Sequence, residues 1–132
     1  MTLLEKWFDE VWNKGHAEAI DEMTTSSFRA HGLEHPDGTE VQGRDAFKAF
    51  HKQFCSSFTE IHADVQQTVT EGELTVARCV MTGVHTGDGL GLPATGKRVT
   101  FTGMCLARLE DGKVAEAWNN FDLALMYRQL QG

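Results

Sequence analysis

Asp122 closes a run, Lys113 to Asp122, in which side chains of a strand would alternate between two faces, and it shares one face with Trp118, Asn120 and Glu116. A large aromatic flanked by carboxylates and a carboxamide suits neither a dry core nor a solvated surface. It suits the wall of an apolar cavity with a few polar contacts. Burial beside Trp118 would favour the protonated carboxyl, a group able to give or take a proton near neutral pH. Two imidazoles stand at predicted strand ends, His31 after Phe28-Arg29-Ala30 and His85 in Gly-Val-His-Thr-Gly. Either would donate a hydrogen bond to an oxygen that becomes negative during reaction. Asp122, His31 and His85 are therefore the candidate catalytic residues, for proton transfer at the carbon next to a carbonyl. Trp118, Asn120, Glu116, His35, Trp12 and Phe54 are the candidate ligand contacts. Asp122 also precedes Leu123 to Leu130, a run with helical spacing, so it reads equally well as a helix N-cap.

Other chemistries find less support. His31 and His35 are four apart with Glu34 between them, which binds metal when the segment is helical, but Gly32 and Pro36 argue against a helix, and no metal is expected. His16, His51 and His62 carry no such pattern. No Gly-x-Ser-x-Gly nucleophile motif is present, and the Gly87 to Lys97 loop lacks phosphate-loop spacing. Cofactor-free acid/base chemistry remains.

The 132 residues make one domain, with 23% charged and 41% hydrophobic residues. No apolar run approaches the roughly 20 residues that span a bilayer, so no membrane partner is expected. A net charge of −7 without a basic cluster argues against nucleic acid. Cys55, Cys79 and Cys105 are odd in number and set among apolar residues, which predicts reduced core thiols and a cytoplasmic protein. The N-terminal residues have no basic region ahead of their apolar pattern, so they are not read as a signal peptide.

These residues must be positioned by an α+β arrangement. Leu3, Leu4, Trp7, Phe8, Val11 and Trp12 recur at helical spacing, a short helix follows with Ala17, Ile20 and Met23 on one side, and a short strand is expected near Phe28 to His31. Gly43 to Phe58 is helical again, with Phe47, Phe50, Phe54 and Phe58 on one stripe. From Ile61 the period changes to two, with Ile61, Ala63, Val65 and Val69 on one face, and a meander of four strands runs to Asp122 before a last helix. Glu110-Asp111-Gly112-Lys113 is the strongest hairpin signal. Helices gathered ahead of a meander pack on one face of its sheet, and a strongly curved sheet leaves a pocket between the layers.

"GVHTGDGLGLPATGKRVTFTG" followed by "LEDGKVAEAWNNFDLALMYRQLQG", together with "WNKGHAEAIDEM", "FRAH" and "GRDAF", resembles the SnoaL-like polyketide cyclase group of the nuclear transport factor 2-like superfamily. The resemblance implies a conical barrel, a mainly antiparallel sheet wrapped around N-terminal helices, enclosing a pocket for a small hydrophobic molecule. It implies a homodimer or larger homo-oligomer and ring closure by intramolecular aldol condensation without metal or cofactor, or a related isomerase or lyase reaction. It makes Asp122 the acid/base. The chain departs from the cyclases at Gly103 and Cys105, where they carry Gln and His. Isomerase and dehydratase relatives use tyrosines, and the only tyrosine here, Tyr127, lies on the terminal helix. The alternative is a module of the same fold that binds a hydrophobic ligand or dimerises without chemistry.

Overall fold

The protein was analysed as a computed structural model, which describes residues 2–34 and 38–131. Thr2 opens helix α1 (Leu3–Trp7) with a reciprocal cap: its hydroxyl accepts the Glu5 N–H and the Glu5 carboxylate accepts the Thr2 N–H, each at 3.2 Å. The helix then widens into a π-helical turn, Phe8–Asn13, that a simple helical reading of the sequence does not foresee. Phe8, Val11 and Trp12 are all buried on it, beside Leu4 and Trp7. His51 of helix α3 (Arg44–Ser57) donates its Nε2 proton to the Val11 carbonyl at 2.6 Å and so ties the turn to α3. Burial pushes the affinity of this imidazole for a proton down, which keeps it a neutral structural donor.

Helix α2 (Glu18–Met23) leads into β1 (Thr24–His31), a longer strand than the apolar residues alone predict. After α3 come β2 (Phe58–Glu71), β3 (Leu74–His85), β4 (Arg98–Glu110), β5 (Lys113–Phe121) and α4 (Leu123–Gln131). The sheet order is β1-β5-β4-β3-β2, with β1 parallel to β5 and every other pair antiparallel. Asp111 (φ 52°) and Gly112 (φ 77°) form the expected two-residue hairpin turn between β4 and β5. Helix α3 packs against both β1 and β2, the two edges of the sheet, which requires the sheet to curl around it. This is the α+β arrangement expected, a mainly antiparallel sheet wrapped around helices, curled but not closed into a full barrel. Among the described residues no helix is long and apolar enough to cross a membrane.

Two irregularities decide which residues face the helices. The β4–β5 register shifts after Arg108 opposite Glu116, so Val114 and Ala115 are both buried at the start of β5. A second shift between Val65 and Gln67 turns the far half of β2, and Val69, expected inside, stands 65% exposed on the outer face.

Candidate functional site

Between the curl of the sheet and the helices lies an aromatic cavity of about 50 Å³. Trp12 meets Phe54 edge to face (5.5 Å between ring centres, 82°), and Phe47 and Phe50 present similar edges to the same indole. From the sheet come Cys105 and Ala107 of β4 and Ala117, Asn119 and Phe121 of β5. Asn119 is the one carboxamide among the described lining residues. Its Nδ2 donates to the His31 carbonyl at 3.1 Å, which fixes the amide, while its Oδ1 accepts from no described residue. The chain passes close over this residue at Gly32 (φ 82°), where a Cβ would run into the Asn119 carbonyl. Burial pushes the Cys105 thiol up to about 12, with Cys79 adding to it, so it is no nucleophile at neutral pH.

Trp12 and Phe54 line this cavity as expected. Trp118, Asn120 and Glu116 do not: they stand on the outer face of the sheet. The assignment of residues to two faces is right from Glu116 onward, but the face turned to the helices carries Ala117, Asn119 and Phe121. Asp122 is exposed, and its Oδ1 accepts the Leu125 N–H at 3.0 Å, an N-cap of α4. The burial on which its expected proton chemistry rested is absent. Asp122 instead borders an outer groove of about 440 Å³ with Arg78, Thr102, Met104 and Asn120.

His31 is also on the outer side. Its Nε2 lies 2.7 Å from the Glu116 carboxylate and its ring stacks on Trp118 (5.5 Å, 19°). That hydrogen bond holds the Glu116 carboxyl below the usual carboxylate range, helped by Arg108 at 3.5 Å. His85 is fully buried beneath the loop between β3 and β4. Its Nδ1 accepts the Thr95 N–H at 3.2 Å, which puts the ring proton on Nε2, and there it finds no partner among the described residues. Its backbone closes the same loop, with Gly96 N–H donating to its carbonyl and its N–H to Lys97. His35 lies outside the described residues. Asp122, His31 and His85 thus do not meet at the aromatic cavity. Among the described residues no three His, Cys, Asp or Glu side chains come together as metal ligands.

Asn119 and Phe121 are wall residues that the reading of β5 placed on the wrong face. The available signal is the inward face of β4, which does not fix the register of β5. Phe101, Gly103, Cys105 and Ala107 form this uncharged, compact face against Thr100, Thr102, Met104 and Arg108; counting across the Asp-Gly hairpin alone would set Gly103 opposite Asn120, and only the one-residue shift after Arg108 brings Phe121 opposite Gly103 and Asn119 opposite Cys105.

Residues 2–130 match the family described as SnoaL-like polyketide cyclase. The chain is 30% identical over 123 residues to the aklanonic acid methyl ester cyclase DnrD of Streptomyces peucetius, covering 92% of this chain and 83% of that protein. The enzyme of the same description from Streptomyces sp. (strain C5), DauD, is also 30% identical, over 92% of this chain and 75% of its own. Among solved structures, TsrD from Streptomyces laurentii superposes with a TM-score of 0.82 at 26% identity, covering 97% of this chain and 91% of that one. Wild-type IdmH from Streptomyces antibioticus does so with a TM-score of 0.81 at 28% identity, covering 98% and 96%.

Proposed function

The chain belongs to the SnoaL-like polyketide cyclase family, and from that premise we propose that it is a cofactor-free acid/base enzyme that closes a ring in a small hydrophobic carbonyl compound. The observation that carries the reading is the aromatic cavity with, among the described residues, a single carboxamide in its wall. The apolar body of the substrate fills the cavity, and the Asn119 amide, held by the His31 carbonyl through one N–H, offers the other to the substrate carbonyl. Asp122 sits between two cavity-lining residues, Phe121 and Leu123, and is the residue to which the family resemblance assigns the acid/base role. In an aldol closure it takes the proton from the carbon next to the carbonyl, leaving an enolate. The enolate carbon bonds to a second carbonyl of the same molecule, and the new alkoxide takes a proton back. The relatives named for aklanonic acid methyl ester make an intramolecular closure of this class the first reaction to assay.

A second reading, a module that binds a hydrophobic ligand without chemistry, is favoured by one observation: the Asp122 carboxylate is exposed and engaged as a helix cap. Turnover by the wild type separates the two, and Asp122→Asn then tests the base. Loss of roughly 10² to 10⁴ in kcat with little change in ligand affinity supports the enzyme. Unchanged turnover of a substrate that the wild type converts removes Asp122 from the mechanism.

A homodimer joined through the outer sheet face, and a cytoplasmic location that fits three free cysteines, complete the reading.

A further inference from the structure

We infer that Phe121 sets the size limit of the aromatic cavity: with its ring over Gly103 the protein admits at most a single-ring compound, and without that ring it admits a fused bicyclic one. The inference rests on reading the cavity as the ligand site. Gly103 and Phe121 stand directly opposite each other in the β4–β5 register. A Cβ built on Gly103 would run into the Phe121 ring, and all three of its nearest neighbours are atoms of that ring. The ring therefore occupies the volume that any other side chain at 103 would take.

On its other side Phe121 comes within 6.2 Å of Phe8, ring centre to ring centre, so it bridges the sheet to the π-helical turn and closes that end of the cavity. The free space of about 50 Å³ is well below the ~150 Å³ of an apolar cavity that takes up benzene. A single ring enters only as the wall yields slightly; two fused rings meet Phe121. The same residue also borders the outer groove, so trimming it enlarges the cavity on that side and leaves the packed centre between Trp12, Phe47 and Phe54 in place. Gly103 and Phe121 act as one unit, a missing side chain on one strand filled by a large one on the next.

The test is isothermal calorimetry of the wild type and Phe121→Ala with phenol and 2-naphthol. Phe121→Ala should bind 2-naphthol at least about tenfold more tightly than the wild type, with phenol affected less. Wild-type affinity for 2-naphthol equal to that of the variant overturns the proposal, and so does failure of the variant to bind either compound. If Phe121→Ala does not fold, Phe121→Leu carries the same measurement. Thermal unfolding gives an independent arm: Gly103→Ala should lower Tm in the wild type and lower it less, or not at all, in the Phe121→Ala background. Equal losses in both backgrounds break the pairing. Binding requires no turnover, so a protein that discriminates the two phenols but performs no cyclisation refutes the enzyme and leaves the size limit standing.

Discussion

At the scale of single residues, Asp122 and Glu116 show how a carboxylate acts through its immediate partners. Asp122 accepts the Leu125 N–H, and a cap of this kind is worth about 1 kcal/mol, so Asp122→Ala should lower stability by that much in urea unfolding while Asp122→Asn barely moves it. An unchanged midpoint for the alanine variant would deny the cap. Glu116 is held below the usual carboxylate range by His31 first and Arg108 second. A lowered value in the folded state means that its contribution is fully present above the unfolded value of about 4.3 and is lost as pH falls through the folded one. The pair is accessible to solvent, so the contribution is small and screened by salt. Unfolding midpoints measured from pH 6 to pH 3 should therefore fall less steeply for Glu116→Gln than for the wild type, and parallel curves would show that the pair contributes nothing. Trp118 beside three polar groups was readable in the sequence as an unusual face, but an outer face that pairs His31 with Glu116 and stacks His31 on the indole explains it as well as a pocket wall does.

At the scale of elements, the strands and the meander from β2 to β5 were legible because apolar alternation and Asp-Gly turn chemistry are local, whereas the parallel pairing of β1 on β5 and the inward face were not. One extra residue at the start of β5, and another between Val65 and Gln67 in β2, shift the pairing by one and carry Val114 inward and Val69 outward. A bulge leaves no mark in composition. The π-helical turn is hidden for the same reason, since Phe8, Val11 and Trp12 fit an α-helical stripe while the His51–Val11 bond comes from a helix 40 residues away. His85 belongs to this scale too. Its motif, His-Thr-Gly with Pro-Ala-Thr-Gly-Lys following, is explained by a loop folded back on its own start: the ring takes the Thr95 N–H and the backbone pairs with Gly96 and Lys97. His85→Ala should cost about 1–3 kcal/mol, the usual penalty for leaving buried partners unmet, and speed hydrogen exchange selectively at the amides of residues 86–97. Undisturbed exchange there, together with lost turnover, would return His85 to a role in chemistry.

At the scale of the whole molecule, the helices fill the concave side of the sheet and leave the convex side with a pattern of its own. One row runs through all five strands as His31, Trp118, Leu106, Val76 and Val69, each directly opposite the next. Leu106 is 37% and Val69 65% exposed, and Met104 beside them is 46% exposed. The neighbouring row is Arg29, Glu116, Arg108, Leu74 and Glu71, in which charges of both signs recur, so a second copy turned by a two-fold axis can set acid against base. Five strands spaced about 4.8 Å apart and about 30 Å long offer roughly 700 Å², close to the ~800 Å² that each partner contributes to a standard stable interface. A long apolar row on an open face is also a hazard for unspecific association unless a partner covers it. Light scattering on a sizing column should therefore give twice the 14.7 kDa chain mass, and Leu106→Lys or the more exposed Val69→Lys should shift it to the single mass with the far-UV spectrum unchanged. A wild type that stays monomeric at 100-fold higher concentration than the loading used for the variants, or lysine variants that remain dimeric, would leave this face without a second copy and would place any assembly elsewhere.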